Sequence, residues 1–506
     1  LDKGKIRLGL FWYPLIFHFT LLSLVLQAIS AMPVFPEFPS YLLQMAKENL
    51  SIPRGTRDFG PQQMMVRNRI FSTIRTVFEQ FGFSPLETPA MENLNVLTGK
   101  YGEEGDQLIF KILNSGDFLA QTKPEDLVAG HKGMLKKISE KALRYDLTVP
   151  LARYVVMNRL QITFPFRRYQ MQPVWRADRP SFGRYREFYQ CDADVLGTKS
   201  LVCEVEIMQM IVAVMQRLQL NDFSIKINHR QILAGLAAFC GAEGREAEMS
   251  VSLDKLDKVD WETVAEELRK KDFSDPFIEQ LKGFQSGLIS FHSADYQELK
   301  SILGENELCR KGFEDMDKIA FLLSGFPDVS KHLCFDLSLA RGLSYYTGPI
   351  FEVVPEGVKV GSISGGGRYD ELTSVFGVDG IPGVGFSFGI DRIYDLMQEL
   401  GKIENISPTP SQVLVIQFDE NQMPFYLSLL ADLRKSGIAA EVYPEAAKLK
   451  KQFAYADARK IPYVVVAGED EIREGLFTLK QLSVSEQGKV SKAEMIERIK
   501  TGSFPV

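Results

Sequence analysis

Arginines set beside aromatic residues mark the middle of the chain. Val174-Trp175-Arg176-Ala177-Asp178-Arg179-Pro180 is followed by Gly183-Arg184-Tyr185-Arg186-Glu187-Phe188. A guanidinium meets a phosphate with paired hydrogen bonds, and an aromatic face suits a stacked base. ATP is a natural guest for such a segment. Two more stretches carry unusual chemistry: Leu339-Ala340-Arg341-Gly342-Leu343-Ser344-Tyr345-Tyr346-Thr347-Gly348 and Gly361-Ser362-Ile363-Ser364-Gly365-Gly366-Gly367-Arg368-Tyr369-Asp370-Glu371. The glycines of the second permit close backbone approach. They do not form a P-loop, because no Gly-Lys-Ser/Thr follows, and a lone glycine run is more often a turn than a nucleotide site. Gly383 to Arg392 reads as a strand running into a helix, which places Arg392 in the first turn.

These residues need elements to hold them. Between Phe166 and Leu196 the sequence alternates around a polar break at Arg179 to Gly183, the pattern of an antiparallel pair. Its period of two puts Arg186, Phe188, Gln190, Asp192 and Asp194 on one face. Such a face is either the solvated side of a half-buried sheet or the wall of a ligand site. Upstream, Pro61 suits the first position of a helix, with Phe71, Ile74, Phe78 and Phe81 at helical spacing before Gly82. Phe83 to Pro89 then reads as a strand. Residues 241–324 carry charged helical runs and predict a helical insertion, after which strands return at Cys334 to Leu339 and Ile350 to Val354. Ser407 to Ser411 has the composition of a linker, and beyond it strands and helices alternate: Val413 to Phe418, Met423 to Lys435, Ala439 to Tyr443, Leu449 to Lys460, Tyr463 to Ala467. That alternation predicts a separate, largely parallel α/β domain over 411–506.

At 506 residues the chain exceeds what one core serves, so two or three domains are expected. A net charge of −6 gives no global attraction to nucleic acid, which leaves RNA binding to local basic patches. Cys191, Cys203, Cys240, Cys309 and Cys334 show no Cys-x-x-Cys pair and read as reduced thiols. The five histidines show no zinc-ligand spacing, so no structural metal is expected. Lys3, Lys5 and Arg7 precede an apolar run from Leu8 to Ala31, which suggests a signal or a membrane helix. Pro14 and His18 interrupt it, and Met45 opens an ordinary cytosolic start. Residues 1–44 are therefore read as a non-native or mis-assigned extension, with membrane attachment as the rival.

Taken together, these segments resemble the histidyl-tRNA synthetase family of class II, from about residue 51 to the C-terminus. Pro53-Arg54-Gly55-Thr56-Arg57-Asp58 looks like the family's N-terminal signature, Pro61 to Pro89 like motif 1, the arginine-bearing pair like motif 2, and the segment ending on Asp391-Arg392 like motif 3. Arg341 to Gly348 and Gly365 to Asp370 resemble its two histidine-specific signatures, the most specific of these matches. The resemblance implies an α/β multi-domain fold. A class II antiparallel-sheet catalytic core with a helical insertion would span 45–404, and an anticodon-binding domain 411–506.

It also implies roles. Phe188 and Arg392 would sandwich the adenine, and Arg184 and Arg392 would lie near the γ-phosphate. Arg176 would hold the α-phosphate, with Asp178 beside it at the ATP site. Arg341 would stabilise the same developing charge as histidine's carboxylate attacks. Magnesium would arrive with ATP. Asp146, Thr148 and Gln190 match the ammonium-binding positions. Asp194, Tyr345, Tyr346 and Tyr369 match the pocket for the imidazole. Expected partners are histidine, ATP, tRNA(His) and a second copy of the chain joined through motif 1, in the cytoplasm. Lys448, Lys450 and Lys451 are either solvated surface or a tRNA contact.

Three departures stand out. Asp146, Asp178 and Asp194 occupy positions where many bacterial members carry Glu. The loop between Asp178 and Arg184 is shorter than that of the eukaryotic branch. Ser344 replaces a usual Asp. One rival is a histidine-sensing regulatory relative, which typically lacks the ATP arginines and the C-terminal domain. Another is a class II synthetase for proline, threonine or glycine, which would not carry Arg341-Gly342-Leu343 with Tyr345-Tyr346.

Overall fold

The computed structural model describes residues 50–502 apart from 129, 258, 285–286, 341–344, 404–406 and 485. The chain divides into two compact units, Leu1–Pro53 and Arg54–Val506. Of the first, residues 50–53 are described and all are exposed. The expectations for residues 1–44, Arg341 and Ser344 lie outside the described residues.

In the second unit the Pro61–Gln80 helix starts as read, with Pro61 in its first turn and the Gln63 side chain accepting from the Gly60 N–H at 2.8 Å. Strand β1 (Ser84–Pro85) follows but is only two residues long, so most of the expected Phe83–Pro89 strand is irregular. Strands β2 (Met91–Asn93), β3 (Lys111–Ile112) and β4 (Lys141–Leu143) make a small sheet in the order β2-β4-β3, which the sequence reading had not picked out. The long pair is β5 (Phe166–Trp175) and β6 (Glu187–Leu196), antiparallel throughout. Then come β7 (Phe223–His229), β8 (Leu333–Phe335), β9 (Pro349–Pro355), β10 (Ser364–Arg368) and β11 (Gly383–Gly389). The large sheet runs β1-β5-β6-β11-β10-β9-β7-β8, antiparallel except for the parallel edge pairs β1/β5 and β7/β8.

The glycine run forms a strand rather than a turn. Gly366 and Gly367 sit inside β10, where a Cβ on Gly366 would stand 2.2 Å from the Gly385 carbonyl oxygen, and one on Gly367 2.8 Å from that of Pro349. Neighbouring strands approach too closely there for any side chain.

Alternation along β6 separates core from site. Cys191, Ala193 and Val195 pack into the apolar cluster shared with Phe78 and Ile74 of the Pro61–Gln80 helix and Ile207 and Ile211 of the Val202–Arg217 helix. Phe188, Gln190, Asp192 and Asp194 take the other face. That face is not solvated, since Asp192 and Asp194 are buried.

The helical insertion occupies the span between β7 and β8, wider than the expected 241–324: its helices begin at Arg230 and end at Ser330. Asp260, Ser274, Ser293 and Asn306 cap successive helices by accepting from backbone N–H groups. Nearer the C-terminus, β12 (Val413–Val415), β13 (Ala440–Val442) and β14 (Tyr463–Val466) pair in parallel, flanked by the Met423–Lys435 and Leu449–Ala458 helices. Strands β15 (Leu476–Gln481) and β16 (Glu486–Ser491) extend this second sheet in antiparallel fashion, so it is mixed rather than largely parallel. Among the described residues no helix is long and apolar enough to cross a membrane, and the five cysteines are free.

Candidate active site

The polar face of β6 opens into a cavity of about 850 Å³, lined by Arg176, Asp178, Arg184, Phe188, Gln190 and Arg392 together with Gly361 to Gly365. A space of this size holds a nucleotide with a small companion. All five expected ATP residues therefore reach one cavity.

Each of its arginines is held by an identifiable neighbour. Arg176 donates from Nε to the Tyr145 carbonyl at 3.1 Å, with its guanidinium carbon 4.3 Å from the Tyr145 ring centre and 5.2 Å from that of Phe188. It thus lies over two aromatic rings at the border of the cavity. Arg184, half exposed, pairs with the buried Asp178 at 2.8 Å. Arg392 donates to the Gly183 carbonyl at 2.9 Å and to that of Ser362, so motif 3 grips both the β5–β6 loop and the segment leading into β10.

Behind these arginines runs a second framework. Asp391 accepts from Arg67 at 2.7 Å, from Arg57 at 2.9 Å and from the Tyr189 N–H at 3.0 Å. Arg57 also reaches Asp395 and the Tyr185 hydroxyl, and lies 4.0 Å from the Tyr185 ring centre. Gly55 has φ +89°, and its would-be Cβ meets Pro180 and Arg186 within 3.0 Å. Its carbonyl accepts from the Arg186 N–H at 2.8 Å. The segment at 54–58 is thus a strap across the arginine loop.

The second group of expected residues gathers behind the first. Asp146 is buried and accepts from Tyr101 at 2.9 Å and from the Val149 N–H at 3.1 Å, and Tyr345 faces it at 3.4 Å. Burial pushes its carboxyl upward, against those hydrogen bonds and the charge of Arg176. Thr148 bonds Tyr345. Tyr345 packs edge-on to Tyr346 at 5.0 Å and to Tyr369 at 6.0 Å. The Tyr369 hydroxyl donates to Asp194 Oδ1, and Arg168 lies 2.8 Å from Asp194 Oδ2. Gly385 makes this possible, because a Cβ there would lie 1.9 Å from Asp194 Oδ1. Gln190 joins the two groups: its amide nitrogen donates to Ser387 at 3.1 Å, and among the described residues its Oε1 has no partner.

Sequence reasoning gave no role to Arg144 or Arg168, and it placed Asp192 on the face of β6 without assigning it one. Arg144 is fully buried and donates to the carbonyls of Thr88, Pro89 and Pro173 and to Gln172, fixing the 143–148 segment against β5. Arg168, Gln170 and Gln172 alternate on β5 as Gln190, Asp192 and Asp194 do on β6, and the register places Arg168 opposite Asp194. That alternation was a readable signal. Among the described residues no group of three His, Cys, Asp or Glu is placed to hold a metal by itself. The carboxylates of Asp178 and Glu352 at the cavity wall are hard oxygen donors that suit a magnesium ion carried by phosphates.

Comparison with known proteins gives consistent matches. The histidyl-tRNA synthetase family model matches residues 137–393, and the anticodon binding domain model matches residues 412–502. A histidine–tRNA ligase of Cytophaga hutchinsonii is 52% identical over 454 residues, 89% of this chain and 100% of the relative. That of Christiangramia forsetii is 49% identical over 442 residues, 87% of this chain and 97% of its own length. The crystal structure of histidyl-tRNA synthetase from Nostoc sp. PCC 7120 aligns with a TM-score of 0.76 at 32% identity, covering 90% of this chain and 100% of that one.

Proposed function

This chain belongs to the histidyl-tRNA synthetase family, and we propose that the cavity over β6 is where it activates histidine with ATP before esterifying it to the 3′ end of tRNA(His). One observation carries the reading. A single strand face runs from arginines and Phe188 at one end to a buried carboxylate and tyrosines at the other. A nucleotide and a small amino acid bearing an ammonium and a ring N–H fit end to end along it.

Phe188 and Arg392 receive the adenine, and Arg184 leaves Asp178 for the γ-phosphate. Arg176 draws charge from the α-phosphate as histidine's carboxylate oxygen bonds to that phosphorus and pyrophosphate departs. Arg341, on the family resemblance, supports the same charge. No protein nucleophile is needed, because alignment of the reacting groups and fixed positive charge lower the barrier. Magnesium would be held by Asp178 and Glu352 with the phosphates, and when bound it neutralises phosphate charge. Asp146, Thr148 and Gln190 take the ammonium. Asp194, Tyr345, Tyr346 and Tyr369 form the ring pocket, which rejects side chains that would leave buried polar groups unpaired.

Residues 45–404 act as the catalytic domain and 411–506 as the anticodon-binding domain. The Pro61–Gln80 helix serves a homodimer interface, and the cytoplasm, with its ATP and tRNA, is the compartment this activity requires. The arginines at the cavity and the C-terminal sheet argue against a regulatory relative. The deciding experiment is ATP–pyrophosphate exchange with each amino acid in turn. Exchange is expected with histidine alone, and silence with all of them would overturn the reading.

A further inference from the structure

Same-face positions on a strand are about 6.7 Å apart, so Phe188, Gln190, Asp192 and Asp194 form an evenly stepped row beneath the cavity and the tyrosines. The oxygens of Asp194 are already engaged, one by the Tyr369 hydroxyl and one by Arg168. Asp146 is engaged by Tyr101, Val149 and Tyr345. Asp192 differs. It is 3% exposed, yet among the described residues its Oδ1 has no hydrogen-bond partner. Its neighbour across β11 is Ser387, which lines the cavity and hydrogen-bonds the carboxylate. Its neighbour across β5 is Gln170, whose amide is used by Thr88 and Gln172. Gln190 Oε1, one step along, also lacks a hydrogen bond, and so does Asp194 Oδ2, which has the Arg168 ion pair instead; among the described residues Asp192 Oδ1 and Gln190 Oε1 are thus two buried acceptors in a row with neither. A buried acceptor left unpaired is costly, so such a row calls for a guest with two donors.

We propose that Asp192 is a further specificity-determining residue, whose free oxygen receives the imidazole N–H of histidine while Asp194, Arg168 and Tyr369 form the fixed wall behind it. This rests on histidine being the guest, and it gives Asp192 a direct contact that the resemblance does not assign. Charge supports it. Asp192, Asp194 and Asp146 lie close together; among the described residues Arg168 is a fully buried cation facing the first two, with Ser387 and Tyr346 beside them. Burial pushes the Asp192 carboxyl up to about 7, Arg168 opposing and Asp194 adding. The ammonium of histidine, at Asp146 and Gln190, favours the ionised form when the amino acid arrives.

The test is Asp192→Asn, which keeps shape and removes charge, read by histidine-dependent pyrophosphate exchange. KM for histidine is expected to rise about fivefold to tenfold, because the amide oxygen still accepts the imidazole N–H but without the charge that strengthens the bond, with KM for ATP little changed. The ratio of variant to unaltered KM should grow as pH rises from about 6 to about 8, because only the carboxylate is lost. A merely structural role would leave that ratio flat. If the unaltered protein exchanges with histidine and the variant's KM for histidine stays within about twofold of it across that range, the role of Asp192 is refuted alone; if the unaltered protein exchanges with no amino acid, the histidine reading itself fails. Should Asp192→Asn not fold, calorimetry of histidine binding to the unaltered protein in buffers of different ionisation enthalpy reads the same group. Release of roughly half a proton near pH 7 is expected, and none would overturn the proposal.

Discussion

Asp192 and Phe188 lie two steps apart on one strand face yet obey different physics. Phe188 offers a ring at the cavity wall beside Arg176, and a stacked base on an aromatic ring contributes about 1–3 kcal/mol. Phe188→Ala should therefore raise KM for ATP about tenfold in exchange assays, with KM for histidine nearly unmoved; equal shifts in both would count against a stacking role. Asp192 is governed by burial instead. Its carboxyl is raised above the unfolded value, so its contribution to stability is fully present below the ordinary carboxylate range and is lost as pH rises through about 7. Without histidine, Tm should fall as pH is raised from about 5 to about 8, and more steeply than for Asp192→Asn. Melting curves in matched buffers check this, and parallel curves for the two proteins would refute it.

At the scale of elements, the arginines of the cavity are placed by segments far from them in sequence. The 54–58 strap reaches the β5–β6 loop through Gly55 and Arg57, and the helix after β11 through Asp391 and Asp395. Arg57 acts on Arg184 and Arg392 through their chain neighbours. It ties Tyr185, next to Arg184, to Asp391, next to Arg392. We expect Arg57→Ala to lower kcat of exchange about tenfold through misplacement of the phosphate-binding arginines, with partial recovery in Arg57→Lys and little effect on KM for histidine. A change confined to thermal stability would show a structural role only. Gly385 acts at the other end of the β6 face in the same way, leaving the room that Asp194 occupies.

For the whole molecule, the two sheets divide the labour of the proposed reaction. The large sheet carries the cavity, and the C-terminal sheet, with its own core of Val413, Val465, Leu429 and Leu479, carries the exposed Lys448, Lys450 and Lys451. With a net charge of −6, any RNA attraction must be local. Replacing these three lysines by alanine should raise KM for tRNA in charging assays several-fold, about a factor of ten at most, and reduce its dependence on salt. An unchanged salt slope would return the cluster to ordinary solvated surface.

Much of this site was legible before any coordinates. Local pattern sufficed for the Pro61–Gln80 helix, the β5–β6 pair, the β11-to-helix step and the Met423–Lys435 helix, because proline placement and periods of 3.6 or two are properties of adjacent residues. Family resemblance then put named roles on Arg176, Gln190, Asp194 and Tyr369, which the fold gathers on one face. Contacts between distant segments were not legible. The glycine run became a central strand because β9 and β11 close on it from either side, and β15 and β16 joined the second sheet by pairing that no periodicity announces. The sequence by itself determined which chemical groups this protein has and which face of β6 displays them. Only the tertiary structure decided that the face is buried, that Arg168 meets Asp194, and that Asp192 keeps a free oxygen, since burial and pairing depend on strands brought together from far along the chain.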